Sequence, residues 1–514
     1  MGSRRSSETC FTTSDPEPPD LEQGIQREKS RPVEIPWDKD PANAMNWSKA
    51  NRIYHTLIPA GCAFICTLAS SIYTPGIPEV SETFNVSEEV ALIPYSIYVI
   101  GLAFGPTVSA PLSETFGRRI VYQTCVPVFA LFILGSGFAQ NIETLIILRF
   151  FAGFFGSPSL SIGSATISDI WAQQDRAIPM SSYVATPFLA PALGPLLGGY
   201  STMGANWRWN AWITLFFSII CLAPVYLGMR ETYKKIILEK RAKRERKSRG
   251  ESEPSRPPMG PTLHRFFRQT LSRPLYMLFT EPIPGLFALY VAFNFAVQYT
   301  FYAAFPLVFE SAYGFSLGQV GLTFLGLGVG VFFGFLALIY FNLKPYKRWV
   351  IELKTAQAKE TRKAQEEGRD VPSHAKTPPP AEWRLILAFP ASILMPISLF
   401  LFAWTVGRTH WIVPVIAEAL FGMAQLQIFM AATMYVMDCY GPLFGASAMA
   451  ANTLLRYILS AAFPLFALQM YRGLGPDWAT SLLAFVSCVL AVIPWCFWRW
   501  GPALRRRSGF KTEQ

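Results

Sequence analysis

Residues 187–199 read PFLAPALGPLLGG, from Pro187 through Pro191, Gly194, Pro195 and Gly198 to Gly199, inside a longer apolar run. Each proline removes a backbone donor and displaces the carbonyl four residues earlier, which costs about 3 kcal/mol in a helix interior in water. In lipid, the freed carbonyls of Tyr183, Pro187 and Pro191 need partners from neighbouring helices, water or side chains, so the run fits only in a packed bundle or beside a wet cavity. Gly194 and Gly198 stand one turn apart and form a small face that lets another backbone come close. The stretch reads as a membrane helix built to bend.

The rest of the chain supplies the bundle. Of its 514 residues, 51% are hydrophobic and 15% charged, against nearly a quarter charged in soluble domains. About twelve stretches reach the roughly 20 residues needed to cross a bilayer, near 53–73, 90–110, 120–139, 143–168, 178–201, 209–228, 283–305, 318–341, 384–404, 410–437, 444–470 and 477–499. The net charge of +11 does not indicate nucleic acid. Its basic residues collect in alternate loops: Arg118 and Arg119, the run Lys234 to Arg249, Lys344 with Lys347 and Arg348, and Arg505 to Arg507. By the positive-inside rule these loops and both termini are cytoplasmic. The opposite loop after the first span carries Glu79, Glu82, Glu88 and Glu89, and Asn85-Val86-Ser87 there is a glycosylation sequon.

Composition divides the chain further. Residues 1–50 are rich in Ser, Pro and acids and read as a disordered cytoplasmic tail, not a signal peptide. Residues 51–228 form a first six-helix bundle, 229–280 a basic cytoplasmic loop, 281–500 a second bundle with a cytoplasmic insertion at 342–383, and 501–514 a short tail. Repeats of this kind place a central site between two bundles that rock against each other. The eight cysteines lack a paired or metal-binding spacing. No phosphate-binding loop, metal cluster or nucleophile–base arrangement is present, so the expectation is a non-enzyme without cofactors, driven by an ion gradient if transport is uphill.

Several motifs align with one family. The loop Gly105-Pro106, then Ala110 to Arg119 (APLSETFGRR), resembles the cytoplasmic signature of the major facilitator superfamily, in which an acid and a basic pair latch the two bundles. The resemblance gives those roles to Glu114, Gly117, Arg118 and Arg119; Glu114 stands for the usual Asp, Ala110 for Gly and Thr115 for Arg. Leu148 to Gly156 (LRFFAGFFG) is similar to a second motif, whose intramembrane Arg, here Arg149, is implicated in proton coupling. Leu193 to Gly199 resembles the antiporter motif, which assigns a gate to Pro191, Gly194, Pro195, Gly198 and Gly199. Trp207-Arg208-Trp209, Glu231-Thr232-Tyr233 and Asn452 to Arg456 are similar to the fungal polyamine and multidrug branch of drug:proton antiporters. The implied fold is all-α, the major facilitator fold of twelve transmembrane helices in two six-helix bundles.

Charges inside hydrocarbon cost at least about 2.5 kcal/mol on insertion scales and mark function. Arg149 is a permanent cation, either a hub for carbonyls or a bias on a nearby acid. Glu418 is the most deeply embedded carboxylate, a candidate for proton coupling or an outer acid paired with backbone or water. Asp169 and Asp438 lie at equivalent span ends, as bundle-end ion pairs or helix-terminal contacts. Asn294, Gln298 and Tyr302 share a face of the seventh span with Tyr299 beside them, a candidate substrate cavity or a polar glue between helices. Arg456 is an anion contact or a packing element. The expected function is proton-coupled efflux of a drug, toxin or secondary metabolite by a plasma-membrane protein working as a monomer in the bilayer. Alternatives are a dedicated exporter of one organic acid or polyamine, a nutrient-sensing receptor on a transporter scaffold, and a vacuolar or vesicle membrane.

Overall fold

A computed structural model describes residues 36–172, 175–249, 272–367, 369–370 and 378–510. Residues 1–35 of the expected tail, 250–271 of the basic loop and 511–514 lie outside the described residues. Ten segments are long and apolar enough to cross a membrane. A further long helix, Ala177–Gly204, and a break in non-helical conformation at Gly475, which divides Phe444–Arg507, bring the passes to twelve among the described residues. They are α1 (Lys49–Ser71), α2 (Glu88–Phe116), α3 (Arg118–Gly137), α4 (Ile142–Ile170), α5 (Ala177–Gly204), α6 (Arg208–Leu227), α7 (Pro282–Tyr313), α8 (317–341), α9 (Ala388–Thr405), α10 (Ile412–Gly441), α11 (444–474) and α12 (476–507).

Local chemistry sets the ends. Ser48, Ser87 and Asn141 each accept a hydrogen bond from the first turn of α1, α2 and α4, satisfying donors that a helix start leaves open. Ser316 and Gln319 form a reciprocal capping box on α8. Gly314, at φ 67°, ends α7 in the left-handed conformation that favours glycine. α7 runs eight residues past the expected end at 305, because Pro306 is accommodated inside the helix and nothing before Gly314 stops it.

Burial sorts the passes into centre and periphery. Of the most apolar stretch, 83% is buried in α7 and in the segment that starts with α1, but only 22% in α6. The exposed side of α6 carries Phe216, Ile219 and Ile220, a face suited to lipid. Within the first half, α1 packs on α5 and α2 on α4; in the second, α7 and α9 pack on the α10–α12 segment. The halves meet where α5 lies along α8 and where α2 lies along the α10–α12 segment.

The two halves share one detail at equivalent span ends. Arg118, at the start of α3, pairs with Asp169 near the end of α4 at 3.5 Å and stacks on Tyr233. Arg384, before α9, pairs with Asp438 near the end of α10 at 2.9 Å and stacks on Tyr346. Residues 36–48, expected within a disordered tail, instead pack on the basic loop. Asp40 accepts from Arg241 at 2.6 Å, and Lys234 lies over the Trp37 ring at 5.3 Å. That loop is helical over Lys234–Ser248, and the later insertion over Lys347–Glu366.

Candidate functional site

The proline run lies in one continuous helix. Thr186 Oγ1 donates to the Tyr183 carbonyl at 2.8 Å, so a side chain takes over one of the acceptors that the prolines free. Its glycines divide between two partners. A Cβ at Gly194 or Gly198 would strike Ser71 or the Ile72 carbonyl, within the first half, whereas one at Gly199 would come within 2.5 Å of the Leu317 carbonyl of α8. Gly321 of α8 answers from the other side, its added Cβ 2.6 Å from the Pro195 carbonyl. The residues expected to form a gate therefore divide between an internal α1–α5 seam, at Gly194 and Gly198, and a contact between halves, at Pro195 and Gly199.

Deeper in the interface, aromatic rings close the centre. The Tyr95 hydroxyl of α2 donates to the Tyr299 carbonyl of α7 at 3.1 Å. Phe188 of α5 packs between Phe295 and Phe429, at 5.3 and 5.2 Å. Two buried arginines border this layer. Arg149 donates to the Ala69 carbonyl at 3.0 Å and lies over the rings of Tyr73 and Tyr98 at 4.5 and 5.0 Å. Its Nε and Nη2 have no hydrogen-bond partner. Arg456 lies over Phe295, Phe429 and Tyr457, and its Nε is also without a partner. Ring faces attract a desolvated cation by up to about 2 kcal/mol, which accounts for two guanidinium groups held here without a carboxylate.

α7 shows two faces. Tyr299 and Phe295 meet the first half, as above. Gln298 turns into the second half, accepting from Gln425 Nε2 at 2.7 Å and donating to the Tyr302 hydroxyl at 2.6 Å. Asn294 is 2% exposed, and neither its oxygen nor its nitrogen makes a well-formed hydrogen bond. Gln298, Tyr302 and Glu418 line one small cavity, with room for about one water molecule, together with Phe301, Phe305, Phe324, Leu327 and Phe421. Both Glu418 oxygens are buried there without a hydrogen bond. A carboxyl in that setting needs a proton or a cation beside it. Sequence reasoning located Glu418 by depth alone. Spacing located Gln298 and Tyr302 on one face of α7, but their meeting with Gln425, Glu418 and a ring wall from α7, α8 and α10 left no local signal.

At the loop between α2 and α3, Arg118 also donates to Ser113, and its contacts lie within the first half and the Glu231–Tyr233 segment that follows it. Gly117, at φ 103°, brings the chain to the Glu231 carboxylate, which accepts from the backbone of Arg118 at 2.9 Å and Arg119 at 3.3 Å. Glu231, Ser113 and Tyr233 belong to this cluster and were not singled out as site residues; Glu231 lies 113 positions from its partner Arg118. Glu114 is exposed and has no ion pair among the described residues. Asn85 is an exposed residue in the left-handed turn between α1 and α2.

A family model described as Major Facilitator Superfamily matches residues 60–354, more than half of the chain. Polyamine transporter 4 of Saccharomyces cerevisiae is 38% identical, over 93% of this chain and 73% of its own length. A major facilitator superfamily multidrug transporter of Aspergillus fumigatus is 37% identical, over 94% and 76%. An efflux pump of Fusarium oxysporum is 35% identical, over 92% and 77%.

Proposed function

The chain belongs to the Major Facilitator Superfamily, and from that premise we propose that it exports small organic solutes from the cytoplasm in exchange for protons, by alternating access between its halves. A relative named as an efflux pump supports the export direction, and relatives named as multidrug transporter and polyamine transporter support small organic solutes. The observation that carries the coupling is Glu418, a carboxyl with both oxygens unpartnered inside a cavity of the second half. In this reading the solute sits between the halves, among Tyr95, Phe188, Phe295, Tyr299, Phe429 and Arg456. The proton exchanges at Glu418, and Arg149 holds α1, α2 and α4 in register. α5 carries the outer gate. The halves are residues 51–228 and 281–500, both termini face the cytoplasm, and the protein works as a monomer in the plasma membrane with Asn85 open to glycosylation.

The test is solute efflux from proteoliposomes with and without an imposed proton gradient. Acceleration by the gradient in the wild type and its loss in Glu418→Gln, with solute exchange retained, is the expected result. Gradient-driven export at an unchanged rate and pH dependence in Glu418→Gln removes Glu418 from the coupling.

One observation favours a second reading, a dedicated exporter of amines. Five rings, those of Phe301, Tyr302, Phe305, Phe324 and Phe421, surround the Glu418 carboxyl, a setting that suits an ammonium group. Competition of an aliphatic diamine with protons for the purified protein distinguishes this reading from broad solute export.

A further inference from the structure

Tyr290, Asn294, Gln298 and Tyr302 recur at every fourth residue of α7, so they share one side of the helix over about 18 Å at ~1.5 Å per residue. All four are buried, none more than 2% exposed. Two of them have partners elsewhere in the second half: Gln298 meets Gln425, and the Tyr302 ring lies 5.4 Å from Phe324 and 5.7 Å from Tyr299. The adjacent side, with Phe295 and Tyr299, faces the first half. α7 thus separates a face toward the interface from a polar row enclosed within the second half.

That row carries an unusual number of polar atoms without well-formed hydrogen bonds. The Tyr290 hydroxyl and the Asn294 amide face each other without a well-formed hydrogen bond, and Gln425 Oε1 and both oxygens of Glu418 lack any partner. Each such group costs about 1–3 kcal/mol when left dry, and buried polar atoms of this kind are ordinarily bridged by water. The row continues toward the cytoplasmic start of α7. Tyr435, packed on Phe287 at 5.5 Å, has another buried hydroxyl without a well-formed hydrogen bond, its neighbour being the Cys439 thiol. It lies against Gly501, close to Glu382, where Glu382 pairs with Arg505 of the C-terminal helix.

We propose that this side of α7 is the proton's route between Glu418 and the cytoplasm, a file of water held by Tyr435, Tyr290, Asn294 and the Gln298–Gln425 pair. A neutral Glu418 carboxyl gives its proton to the first water, leaving a carboxylate and a hydronium. Each later water then accepts one proton and passes another on, one O–H bond forming as one breaks, so a proton's worth of charge moves while the oxygens stay in place. The amides keep the waters in line, and the tyrosine hydroxyls accept and donate in the same sequence. The proton path is thereby kept apart from the solute path at the interface between halves.

This inference rests on proton exchange at Glu418, so the experiment carries an arm for each. Proton movement and solute efflux are followed together in proteoliposomes, in H2O and in D2O, for the wild type, Tyr290→Phe and Tyr290→Phe/Asn294→Leu. Tyr290→Phe is expected to slow proton movement by about tenfold, the effect of losing one hydrogen-bonding contact in the path. It is also expected to raise the H2O/D2O rate ratio while equilibrium solute binding stays unchanged, and the double variant is expected to slow protons further. Wild-type proton rates and isotope ratio in both variants overturn the route. An equal loss of solute binding in Tyr290→Phe also overturns it, by marking a packing or solute role. A wild type that exports solute without moving protons overturns both the route and the exchange reading. If the double variant does not fold, Tyr290→Phe, which removes a single oxygen, decides alone.

Discussion

Arg472, at the outer end of α11, reaches Glu88 at the start of α2 at 2.5 Å, joining the second half to the first. Both side chains are partly exposed, 48% and 39%, and such a pair contributes about 0–1 kcal/mol. The pair therefore biases this end of the interface between halves toward closure without locking it, as a transporter that must reopen requires. Glu88→Lys is expected to raise the labelling rate of a cysteine introduced at Leu317 by a factor of up to about 5. Glu88→Lys combined with Arg472→Glu should return it to the starting value.

Gly198 and Gly321 are both small residues at tight contacts, yet substitution should act differently at each. Leucine at Gly198 strikes the Ile72 carbonyl inside the first half, so the expected loss is of stability, about 1–3 kcal/mol, seen as a lower Tm. Leucine at Gly321 meets Pro195 and Leu196 across the halves. There the expected outcome is a protein of near wild-type Tm, held open on its outer side and deficient in transport.

Glu231 caps α3 from a distant part of the chain. Glu231→Ala removes an anion from a helix start and uncaps the Arg118 and Arg119 amides, at a cost of about 1–2 kcal/mol. Thermal unfolding should show this loss, and Glu231→Gln, which keeps an acceptor, should show a smaller one.

Asp40 ties the N-terminal segment to the basic loop. The Arg241 guanidinium, aided by the Ala42 amide, holds its carboxyl below the ordinary carboxylate value. A lowered folded-state value means that the contact is fully present above the ordinary carboxylate range and is lost as pH falls through the lowered value. Hydrogen exchange in the Lys234–Ser248 helix should therefore stay slow from neutral pH into the acid range and rise only below the ordinary carboxylate range, after correction for the pH dependence of intrinsic exchange. Asp40→Asn should raise it already at neutral pH.

The residues that sequence located and those it missed differ in the range of their interactions. Arg149 and Glu418 were visible because a charge in an apolar span is costly wherever the span goes. Asp169 and Asp438 were legible as span-end ion pairs or helix-terminal contacts, and the structure supplies Arg118 and Arg384 as their partners. Glu231 was quoted only within a family motif, because its capping role depends on a loop more than a hundred positions away. Asn294, Gln298, Tyr302 and Tyr299 were seen as neighbours on one helix, but spacing could not say that Gln298 faces α10 while Tyr299 faces the first half.

Sequence alone determined the membrane class, the approximate spans and the bend-prone fifth helix, since hydropathy, charge asymmetry and proline chemistry are local properties. Tertiary structure decided which glycine contacts which half, which polar face of α7 is sealed inside its own bundle, and that Glu418 is left without a hydrogen-bond partner. Those outcomes depend on how helices rotate about their axes when they pack, and that rotation is set by contacts between segments far apart in the chain.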